Sequence, residues 1–498
     1  MLKCTINGKQ VEVEPGSTVI QAYMKAGEEI AHYCWHPGLS VAGVCRMCMC
    51  DIEGNPRMQI ACNTPVTDGM VVSNNSEKVK DAVKWTLEFH LINHPLDCPI
   101  CDQAGECGLQ EYYMKHGQYQ PAMGQPKVKK RKVVNLGERV VLDTERCILC
   151  SRCVRFTDEV SKTNELGIFN RGDHAEVGTF DDKPLNNNYS LNTVDICPVG
   201  ALTSKDFRFK QRVWFLKDFE TVCTGCSTGC NVRVYNNENG LYRVKPVQNE
   251  KVNGFWMCDI GREMYKFANR EARLLKAAKN LKSGSQELIP GAAAREVGEL
   301  LKKLSGNQIA LVLTGQYTSE EFEAVVNAFS KDLNCKQVYH WQNNPESVSE
   351  FDGLLYRGDK NPNTAGLKQV LQKAGVSTAW KDLEAKIQSG EIKAVVVAGP
   401  ENTSVYSDMK EKMDLFAKVE TSIWLSAARH EQVERATYRI PMKASVEKNG
   451  TFVNHAGLAQ KIKRGTTLVS EALTLAEAAD LISGKPLNFA TSASTAAL

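Results

Sequence analysis

Apolar and polar positions alternate at the start of the chain. Residues 4–6 and 11–13 flank Asn7-Gly8-Lys9, which predicts a hairpin. Ser17 or Thr18 is placed to cap a short helix through Val19, Ala22 and Met24 that ends at Gly27. A further strand follows, with a turn at Gly54-Asn55. From Ser76 the period changes to that of a helix, with Val79, Ala82, Val83, Leu87 and Leu91 on one face. Pro95 stops that helix, because proline has no N–H to continue it. Beyond about residue 270 the pattern changes again. Residues 308–314 and 393–398 read as short buried strands, the second ending in Gly399-Pro400. Residues 319–333, capped by Ser319, and 383–389 read as helices. Strands alternating with helices predict an α/β layer built on a parallel sheet. Residues 484–498, rich in Ser, Ala and Thr, read as a frayed tail.

Composition adds one decisive fact. The chain has 498 residues, a net charge of +3 and 18 cysteines, of which 17 fall at or before Cys258. A charge near balance implies no strong polyanion partner. No run approaches the roughly 18 apolar residues of a spanning helix. The first residues have neither the apolar core of a signal peptide nor the Arg-rich character of a transit peptide. The expectation is a soluble, intracellular chain that reaches a membrane only through partners. In a reducing compartment, tight C-x-x-C spacing reads as metal ligation rather than disulfides.

The cysteines fall into four ordered sets. Cys34, Cys45, Cys48 and Cys62 have the spacing C-x10-C-x2-C-x13-C, which suits a [2Fe–2S] rhomb with structural zinc as the alternative. Cys50 and Cys4 read as small buried hydrophobes instead. His94, Cys98, Cys101 and Cys107 offer an imidazole and three thiols within fourteen residues, for a cluster or for zinc. Cys147, Cys150 and Cys153, closed far downstream by Cys197-Pro198, suit a [4Fe–4S] cubane, since two-residue gaps let one loop wrap three adjacent corners. Cys223, Cys226, Cys230 and Cys258 give a further cubane candidate, with Gly225 and Gly229 freeing the loop to wrap an inorganic core. Cys335 stands alone. The basic run Lys127-Val128-Lys129-Lys130-Arg131-Lys132 reads as a solvated linker, with a docking surface or a field offsetting negative clusters as the lesser reading. No G-x-G-x-x-G follows a strand and no G-x-x-x-x-G-K-[ST] occurs, so no nucleotide site of the chain's own is expected. No hydrolytic triad or H-E-x-x-H stands out among the histidines.

The string Ile92-Asn93-His94-Pro95-Leu96-Asp97-Cys98-Pro99-Ile100-Cys101-Asp102-Gln103, followed by Gly105-Glu106-Cys107, resembles the large iron–sulfur subunit of bacterial respiratory complex I, the NADH:quinone oxidoreductase. So do Gly43-Val44-Cys45-Arg46-Met47-Cys48, residues 143–155 and Asp195-Ile196-Cys197-Pro198-Val199-Gly200-Ala201-Leu202. The resemblance is dense over residues 1–265. Beyond Cys223 the chain is similar to the molybdopterin oxidoreductase fold, with weaker echoes at Asn361-Pro362-Asn363-Thr364 and Glu447-Lys448-Asn449-Gly450-Thr451-Phe452-Val453-Asn454. It departs from the molybdenum enzymes in carrying Ile260 where they usually have lysine, and in offering no cysteine placed to hold molybdenum.

This resemblance implies a fold class of α+β ferredoxin-like (β-grasp) and cluster-binding domains followed by a truncated α/β molybdopterin-oxidoreductase-like domain. The implied domains are 1–75 for [2Fe–2S], 76–118 for the His/Cys3 [4Fe–4S] site, 119–217 for a ferredoxin-type [4Fe–4S] site, 218–275 for the last [4Fe–4S] site, and 276–498. It implies one [2Fe–2S] cluster, three [4Fe–4S] clusters and no molybdenum. It also implies electron transfer from a partner subunit that binds NADH and FMN, through the first three clusters, to the subunits leading to quinone. The fourth cluster would lie off that route. The chain would sit peripherally on the cytoplasmic side of the bacterial inner membrane, touching the bilayer only through partner subunits and binding no nucleic acid. The alternatives are an electron-transfer subunit of an NAD-linked hydrogenase or formate dehydrogenase and, in a different class, a zinc-stabilised scaffold or nucleic-acid binder using residues 127–132.

Overall fold

The computed structural model describes residues 1–181, 183–376 and 379–487, so most of the expected tail lies outside the described residues. The chain divides into two compact units, one spanning Met1–Leu216 and the other beginning at Lys217. No helix among the described residues is long and apolar enough to cross a membrane.

The first unit opens with the expected hairpin. Strands β1 (Leu2–Ile6) and β2 (Lys9–Val13) pair antiparallel. Asn7 and Gly8 both have positive φ, the backbone that a tight two-residue hairpin requires. Helix α1 (Val19–Ala26) follows. Thr18 rather than Ser17 is its N-cap residue; its N–H donates to Gln21 Oε1 at 2.8 Å, and Gly27 ends the helix with φ of 66°. Strands β3 (Met49–Ile52), β4 (Gln59–Ile60) and β5 (Met70–Ser73) complete a sheet of order β2-β1-β5-β3-β4, with β5 parallel to β1. Ile6, Val19, Ile20, Tyr23 and Cys50 are buried in its core. The sheet frames the loop that carries the first cysteine set.

Helix α2 (Glu77–Leu91) is capped by Ser76, whose hydroxyl accepts from Val79 N at 3.2 Å, and it buries Val79, Val83 and Leu87 as its periodicity predicts. A short three-stranded sheet (Leu202–Ser204, Val140–Leu142, Val134–Asn135) then brackets the third cysteine set.

The second unit begins with an antiparallel sheet of Lys217–Val222, Asn231–Asn237 and Gly240–Pro246. Its main body is a seven-stranded sheet. The strand order is Gly284–Leu288, Ala277–Leu281, Tyr438–Pro441, Thr421–Ser426, Ala394–Ala398, Ile309–Leu313 and Val338–His340. The last five strands in that order are mutually parallel. Ile309–Leu313 and Ala394–Ala398 are buried at every position, as strands covered on both faces must be. The first two pair antiparallel, so the sheet is mixed rather than all parallel. The helix expected at 319–333 has regular α geometry over Ser319–Asn327, and its cap is Thr318, not Ser319: Thr318 Oγ1 accepts from Glu321 N at 3.3 Å.

The interior of this unit holds paired charges. Arg273 meets Glu447 at 2.7 Å, and Lys448 lies between Glu401 at 2.7 Å and Glu321 at 3.0 Å. The two sequence echoes at 361–364 and 447–454 meet here, because Val453 N donates to Asn363 Oδ1 at 2.7 Å. Cys335 is buried and donates to Ile309 O at 3.1 Å, a packing role.

Candidate metal centres

None of the eighteen cysteines is in a disulfide. Among the described residues, no three His, Cys, Asp or Glu side chains are placed to hold a single metal ion.

At the first set, Cys34, Cys45, Cys48 and Cys62 are each no more than 4% exposed. Their thiols interact pairwise: Cys34 with Cys45 and with Cys62, and Cys48 with Cys62. The backbone adds Tyr33 N to Cys45 Sγ at 3.4 Å. Within this shared network Cys34 and Cys48 are pulled towards the thiolate by their neighbours' hydrogen bonds. Cys45 and Cys62 are pushed the other way, as the donors in those bonds. Cys50 stands apart. It points at Gln59 O, 3.6 Å away, and burial pushes its thiol up to about 12.

The second set is more open. Cys101 is buried, Cys107 half-buried and Cys98 exposed. The three lie within electrostatic reach of one another. Gly200 backs directly onto them, since a Cβ there would meet Cys101 Sγ at 2.2 Å. Arg212 ties the loop down by donating to Cys101 O at 2.5 Å and also to Pro99 O. His94 lines a cavity of about 140 Å³ together with Cys147, and its buried Nδ1 has no hydrogen-bond partner. Burial, then the charges of Arg146 and Lys127, hold the imidazole down at about 4, so it is neutral and able to ligate.

The basic run 127–132 is exposed at residues 129, 131 and 132 but is not a free linker. Lys127 Nζ donates to Leu91 O and Ile92 O, both at 3.0 Å, closing the end of α2 just before His94. Lys130 Nζ reaches Ala175 O, and Arg131 pairs with Glu176, each at 2.7 Å. Lys132 binds Asp97 at 2.6 Å and Glu145 at 2.7 Å, and Arg146 binds Asp97 at 2.9 Å. The run is a strap joining the segment that carries His94 and Cys98 to the turn that presents Cys147. Its partners lie far away along the chain, so local composition could not reveal them.

Cys147, Cys150, Cys153 and Cys197 line one cavity together. Burial pushes Cys147 up to about 12 and Cys150 up to about 11. At the fourth set, Cys223 N donates to Cys230 O at 2.8 Å, closing the loop between two strands. Cys258 caps the turn Asp259–Arg262, its Sγ accepting from Gly261 N at 3.3 Å. A Cβ on Gly261 would lie 3.0 Å from Cys223 Sγ and 3.3 Å from Cys258 Sγ, so only glycine leaves that space free. Cys226 and Cys230 stand in the same electrostatic neighbourhood. Lys360, buried from a distant part of the chain, also faces Cys226 and Cys258. The donor chemistry of all four sets is soft. The thiol-filled first site, the unpartnered His94 nitrogen and the glycine cradles at 200 and 261 all fit iron–sulfur ligation.

Known families match each of these regions. Residues 1–77 match the 2Fe-2S iron-sulfur cluster binding domain, and residues 84–121 the NADH-ubiquinone oxidoreductase-G iron-sulfur binding region. Residues 137–203 match the NADH-quinone oxidoreductase subunit 3 ferredoxin-like domain, and residues 216–270 the Molybdopterin oxidoreductase Fe4S4 domain. The G subunit of NADH-quinone oxidoreductase from Rickettsia bellii is 35% identical over 378 residues, which is 74% of this chain and 54% of that protein. The chain is a relative of the NADH-quinone oxidoreductase G subunits. The G subunit from Rickettsia typhi is 40% identical over 265 residues, 53% of this chain and 39% of that protein. The mitochondrial NADH-ubiquinone oxidoreductase 78 kDa subunit of Candida albicans is 42% identical over 260 residues, covering 52% and 36%. The chain therefore spans about half the length of these relatives, or less. A chain in the crystal structure of an NAD+-reducing [NiFe]-hydrogenase in the H2-reduced state is 30% identical with a TM-score of 0.39, covering 43% of this chain and 91% of that one.

Proposed function

We propose that the chain is an electron-relay subunit of an NADH:quinone oxidoreductase. It would carry one [2Fe–2S] cluster on Cys34, Cys45, Cys48 and Cys62. Three [4Fe–4S] clusters would be held by His94/Cys98/Cys101/Cys107, by Cys147/Cys150/Cys153/Cys197 and by Cys223/Cys226/Cys230/Cys258. The division into 1–75, 76–118, 119–217, 218–275 and 276–498 follows those four sites. Iron–sulfur clusters supply one-electron donor and acceptor chemistry when bound. The chain's own residues set where and how. Buried thiols at the first and fourth sites favour less charged states. A neutral His94 in place of a thiolate makes the second site less negative, which raises its potential. The strap 127–132 fixes the second site against the third. Partners supply NADH and flavin on one side and quinone on the other, and no molybdenum is held. The chain is peripheral, on the cytoplasmic face of the inner membrane.

The observation that carries this reading is the first site, where four buried thiols from two loops are linked in one run of pairwise interactions, Cys45 to Cys34 to Cys62 to Cys48, without forming a disulfide. Metal and acid-labile sulfide analysis of anaerobically purified protein tests it. About fourteen irons per chain with matching sulfide are expected. Zinc in proportion to four sites would replace the relay with a scaffold.

A further inference from the structure

Between Cys150 and Cys153 the sequence places Arg152, and Arg155 follows one turn later. Together they occupy the joint between the loops of the first and third sites. Arg152 Nη1 donates to Ile196 O at 3.0 Å, the carbonyl immediately before Cys197. Its Nη2 donates to Trp35 O, immediately after Cys34. Arg155 repeats the bridge, since its Nη2 donates to Cys34 O at 2.5 Å and Cys150 O at 3.4 Å, and its Nη1 to Ser40 O. These partners lie more than a hundred residues away on one side and a few residues to about forty on the other.

The hydrogen bonds of Arg152 neutralise nothing, because both acceptors are carbonyls. Among the described residues it forms no ion pair with a carboxylate, and its Nε is buried without a partner. Its guanidinium lies within electrostatic reach of four candidate ligands, Cys150 and Cys197 of the third site and Cys34 and Cys45 of the first. The half-buried guanidinium stays charged, and its field is screened less than that of a fully exposed one. A reduced cluster carries one more negative charge than an oxidised one, so a fixed cation favours the reduced state of whatever it faces.

We propose that Arg152 is a positioning residue shared by the first and third sites, one fixed positive charge that raises both potentials together while its carbonyl bonds hold the two ligand loops at a set spacing. This inference rests on the cluster reading above. Arg152 does not touch the metal; it acts through the loops and through its field.

The test is a potentiometric titration of the full-length holoprotein followed by electron paramagnetic resonance, in wild type, R152Q and R152K. Absence of cluster signals from the wild-type protein would end the cluster reading before the arginine is altered. With signals present, R152Q is expected to lower the reduction equilibrium of both sites about tenfold, about 59 mV for a one-electron couple. The second and fourth sites should hold their values. R152K keeps the charge and is expected to keep both potentials near wild type, while spin-relaxation measurements detect a changed spacing because the two-carbonyl fork is lost. Unmoved potentials in R152Q, or a shift confined to one site, would overturn the shared assignment. If R152Q takes up no clusters, R152K decides alone: a changed spacing with both potentials held supports the assignment, and an unchanged spacing, or potentials that fall at both sites despite the retained charge, overturns it.

Discussion

The first and second sites solve the same problem by different means. At the first, the ligands hang from a five-stranded sheet and its helix, and each thiol is nearly excluded from solvent. Backbone bonds between framework and loop, such as Ile20 N to Ala61 O at 3.0 Å and Ala61 N to Cys48 O at 2.8 Å, fix the ligand positions. At the second, Cys98 is exposed and, among the described residues, no sheet frames the loop. Charged groups replace the sheet there: Lys127 on the helix end, Lys132 and Arg146 on Asp97, and Arg212 on the loop carbonyls. A packed core specifies a site cooperatively, so its parts stand or fall together. An ion-paired strap specifies one locally, and its parts can be removed one at a time.

The largest effect should come from breaking the packed frame. Ile6→Ala removes a fully buried side chain under the first site, at a cost of about 2–5 kcal/mol. Denaturant unfolding should show that loss together with disappearance of the first site's signal, while the second site survives at lower denaturant. A smaller effect is expected from Asp97→Ala, which strips Lys132 and Arg146 of a shared carboxylate, about 1–3 kcal/mol. The second site's spectrum should broaden and the first site's should not; equal damage to both would erase the contrast. His94→Cys should leave a cluster in place but lower its potential, and an unchanged potential would remove His94 from the ligand set. The smallest effect belongs to Cys50→Ala, which should leave the first site's spectrum unaltered, because that thiol faces Gln59 O rather than the other four.

The same contrast explains what the sequence disclosed. The Asn7-Gly8 turn, the helix from Ser76 and the buried runs at 309–313 and 394–398 were legible, because short-range turn chemistry and periodicity dictate them. The ligand sets were legible because metal chemistry imposes spacing. The pair Ala277–Leu281 and Gly284–Leu288 was not, since most of the second strand is exposed and carries no apolar alternation. The strap escaped for a different reason. Six residues rich in lysine and arginine look solvated until partners such as Asp97, 35 positions away, are in place. Arg152 sat in plain view inside C-x2-C-x2-C, yet only the fold brings Trp35 to it. Lys360 likewise meets the fourth site only once the second unit has folded.

The most direct test of the account is the temperature dependence of paramagnetic resonance in the dithionite-reduced, anaerobically purified chain. The account predicts one signal that persists at the higher temperatures where a [2Fe–2S] centre is still seen, and three further signals that emerge only on deep cooling, each abolished by replacing ligands of its own set. A reduced protein that stays silent at every temperature, despite full iron and sulfide supply, would contradict it.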